Sequence, residues 1–314
     1  MMGRTTKFRF LVLNGEHDFG GHETPEWRRV HEWIRKELDP DVILRQEMTY
    51  STREGRRGFH AARHALGMTG VMAAGTTLES PNPTGIFVKE SGLRLVSDYP
   101  QVTNWWHPAT QVRVAHVGEH YTTELSLASV HLDCNSPTQR LREAEMAIRW
   151  GGTKEVEDEK GQRRQVTQPC IMGGDFNSYS SFPDELGPLP DMAAVRDRHH
   201  VVHRTLPDRL TPDTRPWDTL NTAGFTDLAL HAHHTLGQRK ALRGTSHRRT
   251  DQGAVKGQQH PRIDFIFANG SIPEAVERFE VVEVPGGASD HHGLYVVFSP
   301  HSFWQAVEET ARPR

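Results

Sequence analysis

Apolar positions along the chain fall into short runs separated by polar turns, and the runs switch between strand-like and helix-like periods. Residues 7–13 predict a first strand. After a Gly-rich loop, Thr24-Pro25-Glu26 has the form of a helix start, with Thr as cap and Pro at the first helical position. Trp27, Val30, Trp33, Ile34 and Leu38 follow at helical spacing, and Asp39-Pro40-Asp41 ends the helix. Val42-Ile43-Leu44 then begins a short buried strand that runs into Gln46-Glu47. A strand–helix–strand unit pairs its strands in parallel through a right-handed crossover. Asn14 and Glu47 are therefore expected at the same, C-terminal, edge of a sheet.

A second unit obeys the same rule. Residues 124–132 alternate like a strand and end at His131-Leu132-Asp133. A helix begins near Ser136-Pro137, and Cys170-Ile171-Met172 enters the sheet and leads to Gly173-Gly174-Asp175-Phe176-Asn177. Residues 151–168 between them are polar and charged and read as a surface loop. Residues 85–130 read as antiparallel strands with turns at Glu90-Ser91-Gly92 and Gly118-Glu119. A Pro- and His-rich stretch runs to Thr219, a helix or turn is expected over 221–230, and a basic segment covers 238–262. Strands at 263–268 and 294–298 close the chain. These two begin at polar residues where the earlier strands end at theirs. If they run antiparallel to the earlier strands, Asp264, Asp290 and His291 reach the same edge.

Composition narrows the class without naming the chemistry. The chain has 314 residues, of which 25% are charged and 35% hydrophobic, as expected of a globular protein and not of collagen, coiled coil or a disordered chain. Its 37 basic and 40 acidic residues leave a net charge of −3, which argues against coating nucleic acid through overall charge but leaves room for a basic patch. The apolar stretch after the N-terminal residues is too short for a signal peptide, and no run of about 18 apolar residues occurs, so a cytoplasmic location is expected. Cys134 and Cys170 form no disulfide framework, and their expected places at opposite ends of the sheet disfavour a bond between them.

One sheet edge thus collects Asn14, Glu47, His131, Asp175, Asn177, Asp264, Asp290 and His291. Carboxylates and amide oxygens are hard ligands that suit Mg²⁺ or Mn²⁺ better than zinc. A Mg²⁺ ion held by one or two carboxylates, completed by water and substrate phosphate, is a common arrangement for phosphoester chemistry. Asp290-His291 adds an imidazole beside a carboxylate, and Asp264 is placed to orient that ring and favour its charged form.

On these residues the chain resembles the endonuclease/exonuclease/phosphatase superfamily. The matching pieces are Leu13-Asn14-Gly15, Arg45-Gln46-Glu47, Val130-His131-Leu132, Gly174-Asp175-Phe176-Asn177, Arg262-Ile263-Asp264-Phe265-Ile266-Phe267 and Ser289-Asp290-His291, in the family's order. The resemblance implies an α/β, four-layer sandwich of two mixed sheets packed face to face with helices outside. It implies a single domain over 1–314 with a core of about 7–300. It also implies roles. Glu47 would be the principal metal ligand, with Asn14 and Asp290 nearby, directly or through water. Asp175 would position or deprotonate the attacking water, and Asn177 would bind phosphate and orient Asp175. His291 would contact the phosphate and stabilise the pentacovalent transition state, or act as base, with Asp264 as its partner, and His131 would donate to a phosphate oxygen. Two departures, Leu13 before the Asn and Gly293 after His292, bear on substrate fit and remove no catalytic group.

Other features point to the substrate less directly. Arg239, Lys240, Arg243, Arg248, Arg249 and Lys256 lie in the basic segment opposed by Asp251, and could clamp a nucleic-acid backbone or form a solvated loop. Arg248, Arg249, Asn135 and Arg140 are candidate substrate contacts. Trp105-Trp106-His107 reads either as a stacking platform for bases or as a cap on the core. His199-His200, His231 and His233-His234 read as surface. The leading expectation is a metal-dependent, nuclease-like phosphodiesterase acting on DNA or RNA. A phosphatase or phosphodiesterase for a small molecule or lipid headgroup is the second, and a catalytically silent binding module on the same scaffold the third. The sequence identifies no protein partner.

Overall fold

The apolar run that opens the chain becomes β1 (Phe8–Asn14), a strand buried on both faces. Alternate residues divide between two cores. Phe8, Phe10 and Val12 enter one, Leu11 and Leu13 the other, as the two-residue period of a strand requires. The structure is a computed structural model that describes residues 7–73, 82–118, 120–157, 161–246 and 260–313. In it, β1 sits inside a mixed six-stranded sheet with β2 (Val42–Gln46), β3 (Thr69–Met72), β4 (Gly85–Val88), β13 (Val276–Val282) and β14 (Gly293–Phe298), in the order β13-β14-β1-β2-β4-β3. A second mixed sheet contains β5 (Leu93–Gln101), β6 (Ala109–His116), β7 (Leu125–His131), β10 (Cys170–Asp175), β11 (Phe225–Asp227) and β12 (Asp264–Asn269), in the order β11-β12-β10-β7-β6-β5.

The central core lies between the sheets, where Val12, Leu44 and Val296 meet Leu127, Ile171 and Ile266. A second core covers the outer face of the first sheet with the helices Pro25–Trp33 and Arg57–Leu66. A third covers the outer face of the second sheet with Pro137–Ala147 and Arg215–Thr222. Helix, sheet, sheet and helix give the expected four layers. The helix starts read from sequence form as expected. Thr24 accepts a hydrogen bond from the Trp27 N–H at 3.2 Å, and Ser136 accepts one from the Gln139 N–H at 3.2 Å.

Registers fix the functional edge. β1 and β2 are parallel with Asn14 opposite Gln46, and β7 and β10 are parallel with His131 opposite Asp175. β12 is antiparallel to β10 with Asp264 opposite Asp175, and β14 is antiparallel to β1 with Leu294 opposite Val12. Both closing strands therefore begin at the edge where the earlier ones end.

Several expectations are corrected. Residues 151–168 are not a plain loop, because β8 (Thr153–Glu157) and β9 (Arg163–Thr167) pair antiparallel. Both faces of this hairpin meet solvent, so no apolar alternation marks it. The strands read over 85–130 do pair antiparallel, but they divide between the sheets: β4 belongs to the first, and the turn at Glu90-Ser91-Gly92 carries the chain across to β5 in the second. β13 was not anticipated, and an irregularity between Val276 and Arg278 interrupts the alternation that would have revealed it. Among the described residues no helix is long and apolar enough to cross a membrane.

Candidate active site

Two glycines let the sheets meet closely below the site. Gly173 and Gly174 lie in β10, and Gln46 reaches across from β2 to donate to the Ser129 hydroxyl at 2.9 Å. The Ser129 hydroxyl donates in turn to the Arg45 carbonyl at 3.0 Å. This cross-sheet link sets the ends of β1 and β2 against the ends of β7 and β10.

Above it, Asn14 donates through Nδ2 to Glu47 Oε1 and to Asp175 Oδ2, each at 3.2 Å. Its Oδ1 accepts from the Glu16 N–H at 3.1 Å. Asn14 thus spaces two carboxylates and presents its amide nitrogen to them, an orientation that fits action beside a metal more than direct ligation. Glu47 leaves β2 with φ +54°, a left-handed turn that aims its carboxylate into the cleft. Its Oε2 accepts from the His17 N–H at 2.8 Å.

His17 is delivered by an unusual turn. Residues 16–19 all carry positive φ without a glycine among them, a backbone that persists only where surroundings impose it. The imposing group is a buried cluster under the turn. Arg45 donates to Asp18 Oδ1 at 2.6 Å, Ser51 donates to Asp18 Oδ2 at 2.7 Å, and Arg45 also reaches His31 Nε2 at 2.8 Å. Burial and the Arg45 charge hold His31 well below its ordinary pKa, so it is neutral and free to accept. Asp18→Ala would leave Arg45 as an unpaired charge in the core. It is expected to cost about 3–5 kcal/mol of stability in urea unfolding, and a loss below about 1 kcal/mol would contradict the role given to this cluster.

The second sheet supplies the other half. Asp175 Oδ1 accepts from the Asn177 N–H at 2.8 Å, which fixes the carboxylate. Its Oδ2 lies 3.5 Å from His131 Nε2 and 3.7 Å from His291 Nε2. His291 Nδ1 donates to Asp264 Oδ2 at 2.8 Å, and Asp290 Oδ1 stands 3.8 Å from His291 Nε2. Burial alone would lower the pKa of His291, but the carboxylates of Asp264 and Asp175 outweigh it and raise it well above the usual value. Burial pushes the Asp264 carboxyl up to about 6, against the pull of His291. The geometry and these shifts favour an imidazolium–carboxylate pair. His131 is the opposite case. Burial, His291 and Arg204 lower it to about 3, so it is neutral. Two histidines in one site thus have different charges for stated physical reasons.

Sequence reasoning left His107, Arg204 and His200 out of the catalytic set. His107 stacks on His131 with ring centroids 3.8 Å apart and lies against the same cleft. Arg204, from the helix Arg198–Arg204, donates to Asn177 Oδ1. Asn177 Nδ2 donates to the Leu132 carbonyl at 2.8 Å, so this side chain, at φ +50°, braces the loop that holds Asp175. His200, read as surface, lines the cleft. None of these sits in a periodic segment that could have announced it.

Other candidates are placed elsewhere. Arg140 is fully buried and bonds Asp213 at 3.2 Å and the carbonyls of Asp133 and His203, so the expected substrate contact is corrected to a packing role. Asn135 is exposed beside the loop that follows β7 and is not among the cleft-lining residues. Trp105 is buried and stacks on Trp150 at 5.3 Å, which removes it as a base platform. Arg239 pairs with Glu185 and Arg243 with Glu283 at 2.6 Å. Arg248, Arg249, Asp251 and Lys256 lie outside the described residues. Cys134 and Cys170 are both free thiols.

Glu143 organises two of the loops. It accepts from the Trp106 and Asp133 N–H groups, each at 2.7 Å, and burial raises its carboxyl from 4.5 to about 7. The folded state therefore keeps a proton that the unfolded chain gives up. Relative to Glu143→Gln, the wild type is expected to lose stability as pH rises from about 4.5 to about 7, by roughly 3 kcal/mol at most. Parallel stability curves against pH for the two proteins would contradict this.

The cleft over these groups has a volume of about 490 Å³. Glu47, His131, Asp175, Asn177, Asp290 and His291 line it. Among the described residues no Lys or Arg pairs with Glu47, Asp175, Asp264 or Asp290. Ligand atoms of Asp175, Asp264 and His291 also lie within 4.8 Å of one another, but the Asp264–His291 hydrogen bond already occupies two of them.

A sequence profile of the endonuclease/exonuclease/phosphatase family matches residues 19–291. The chain belongs to this family. No curated protein matches it in sequence. Solved structures share the fold at low identity. An AP endonuclease from Archaeoglobus fulgidus is 16% identical with a TM-score of 0.58, over 93% of this chain and 99% of that one. D. rerio TDP2 complexed with a single-strand DNA product is 14% identical with a TM-score of 0.54, over 93% and 99%. A mannosyl-6-phosphatase from Bacteroides thetaiotaomicron is 15% identical with a TM-score of 0.55, over 92% and 98%. Proteins named for such different activities share this fold, so membership of the endonuclease/exonuclease/phosphatase family speaks for phosphoester chemistry and leaves the ester open.

Proposed function

We propose that the chain is a divalent-metal-dependent phosphoester hydrolase that works by in-line attack of water on phosphorus. The reading is carried by three carboxylates on one cleft, Glu47, Asp175 and Asp290, that no Lys or Arg offsets among the described residues, beside one cationic and one neutral histidine. Three carboxylates facing one cleft, with the His291 imidazole as partner to two of them, offer hard oxygen donors that fit Mg²⁺ or Mn²⁺. Glu47 and Asp290 would hold the ion, with Asn14 beside them. Bound there, it would polarise a phosphoryl oxygen and offset developing charge.

The chain's own groups supply the remaining steps. Asp175, fixed through Oδ1, would use the remaining acceptor capacity of Oδ2, which also accepts from Asn14, to orient a water and take its proton. His291, held cationic by Asp264, faces the charge that grows on phosphoryl oxygen. Neutral His131 can donate to a second oxygen. Groups fixed before charge develops need no reorganisation at the moment of reaction, which makes their contribution large. Asn177 and Arg204 hold the loop after β10 in place.

Nuclease-like diester cleavage and small-molecule phosphoester hydrolysis would both use this floor. The test is a panel of DNA, RNA, phosphodiesters and phosphomonoesters with Mg²⁺ or Mn²⁺, with and without chelator, beside Asp175→Ala. Hydrolysis that is lost on chelation and in the variant supports the proposal. No Mn²⁺ binding in calorimetry, with no turnover of any ester, would favour the silent binding module.

A further inference from the structure

Resting on the phosphoester reading, we propose that the substrate is a small phosphoester whose ester group is apolar, an aromatic or alkyl alcohol seated against one wall of the cleft. The floor of the cleft is the polar edge described above. The wall is different in kind. Outside the main cores lies a small separate cluster in which Tyr179, Met192 and Ile263 are buried and Leu189 and Val195 pack on them, partly exposed. Tyr179, Pro188, Leu189, Pro190, Val195 and Ile263 all line the cleft beside the catalytic groups.

The wall is anchored. The Gly244 N–H donates to the Leu186 carbonyl at 2.7 Å, and a Cβ at Gly187 would lie 2.5 Å from the Leu242 carbonyl oxygen. Two prolines flank Leu189 and limit its backbone. An apolar surface next to a phosphate-handling floor suits an ester group that is itself apolar, and Asp191, which also lines the cleft, leaves the Leu189 and Val195 face apolar. Size agrees, since about 490 Å³ lies in the range of small-molecule sites, roughly 300–1,000 Å³.

In the reaction, the oxygen of water bonds to phosphorus and the bond from phosphorus to the ester oxygen breaks. The proton removed from water ends on that oxygen, so the products are the apolar alcohol and the phosphate.

Benzyl and methyl phosphate, with their methyl diesters, separate the wall from the chemistry, because the two leaving alcohols are similar in acidity. The metal-loaded wild type is expected to favour the benzyl ester by about tenfold or more in kcat/KM. That ratio should collapse toward one in Leu189→Asp, with Val195→Asp as an independent second variant. Binding of benzylphosphonate over methylphosphonate by the metal-free protein, measured by calorimetry, should show the same preference and the same loss without turnover. Equal treatment of the two esters, a ratio untouched by both variants, or faster cleavage of single-stranded DNA than of benzyl esters would overturn the inference and leave the hydrolase reading standing. Absence of turnover on every ester, including DNA, would overturn the hydrolase reading instead, and the phosphonate comparison would then decide the wall on its own.

Discussion

Glu47→Ala is expected to lower kcat/KM for phosphoester hydrolysis by about 100- to 1,000-fold or more, with the unfolding midpoint close to that of the wild type. The side chain lies at the cleft, and its contacts are the Asn14 amide and the His17 N–H, groups that water can satisfy after truncation. No buried charge is left without a partner, so the fold should survive. What disappears is the carboxylate best placed to hold a hard cation, and with it the stabilisation of charge on the phosphoryl group. Titration with Mn²⁺ should show weakened binding in the variant. Near-wild-type hydrolysis at saturating metal would remove Glu47 from the role proposed for it.

Gly174→Ala should act in the opposite way and destroy the fold with the chemistry. Gly174 has φ +153° and pairs with Val130 in the parallel ladder between β7 and β10. A Cβ there would lie 1.8 Å from the Val130 carbonyl oxygen and 3.1 Å from Gln46 Nε2. The obstacle is backbone in the centre of a sheet, so it cannot swing aside as a side chain could. Separating the strands would break the ladder one residue from Asp175 and His131 and disturb the cross-sheet link through Gln46. A cost of about 4 kcal/mol or more is expected, a large part of the roughly 5–15 kcal/mol that holds a typical protein together. Gly92→Ala is the matched control, because a Cβ there meets nothing within 4 Å. Equal denaturation midpoints for the two variants would show that the close approach at Gly174 is not needed.

Much of the active edge is legible in the sequence for a topological reason. Parallel crossover units put Asn14 with Glu47 and His131 with Asp175, and antiparallel return strands bring Asp264 and His291 to meet them. Each residue sits at the end of an apolar run, where periodicity stops and chemistry begins. The residues that escape notice come from segments without a period. His107 arrives on a loop whose neighbour Trp105 belongs to the core, and Arg204 comes from a short helix in a His-rich stretch. Arg140 looked available beside His131, yet its partner Asp213 is 73 positions away, a pairing no local pattern reveals. The hairpin of β8 and β9 hides because neither face is buried, and β13 because a bulge breaks its alternation. The apolar wall at Leu189 and Val195 is a tertiary product of the same kind.

Hydrolysis of a phosphoester in ¹⁸O-water with Mn²⁺, followed by mass spectrometry of both products, tests the central claim most directly. In-line attack on phosphorus, with Asp175 positioning the water, predicts one ¹⁸O atom in the phosphate product and none in the alcohol, with labelling abolished by chelation and by Asp175→Ala. Label in the alcohol, or labelled phosphate formed equally well by Asp175→Ala, would contradict the account.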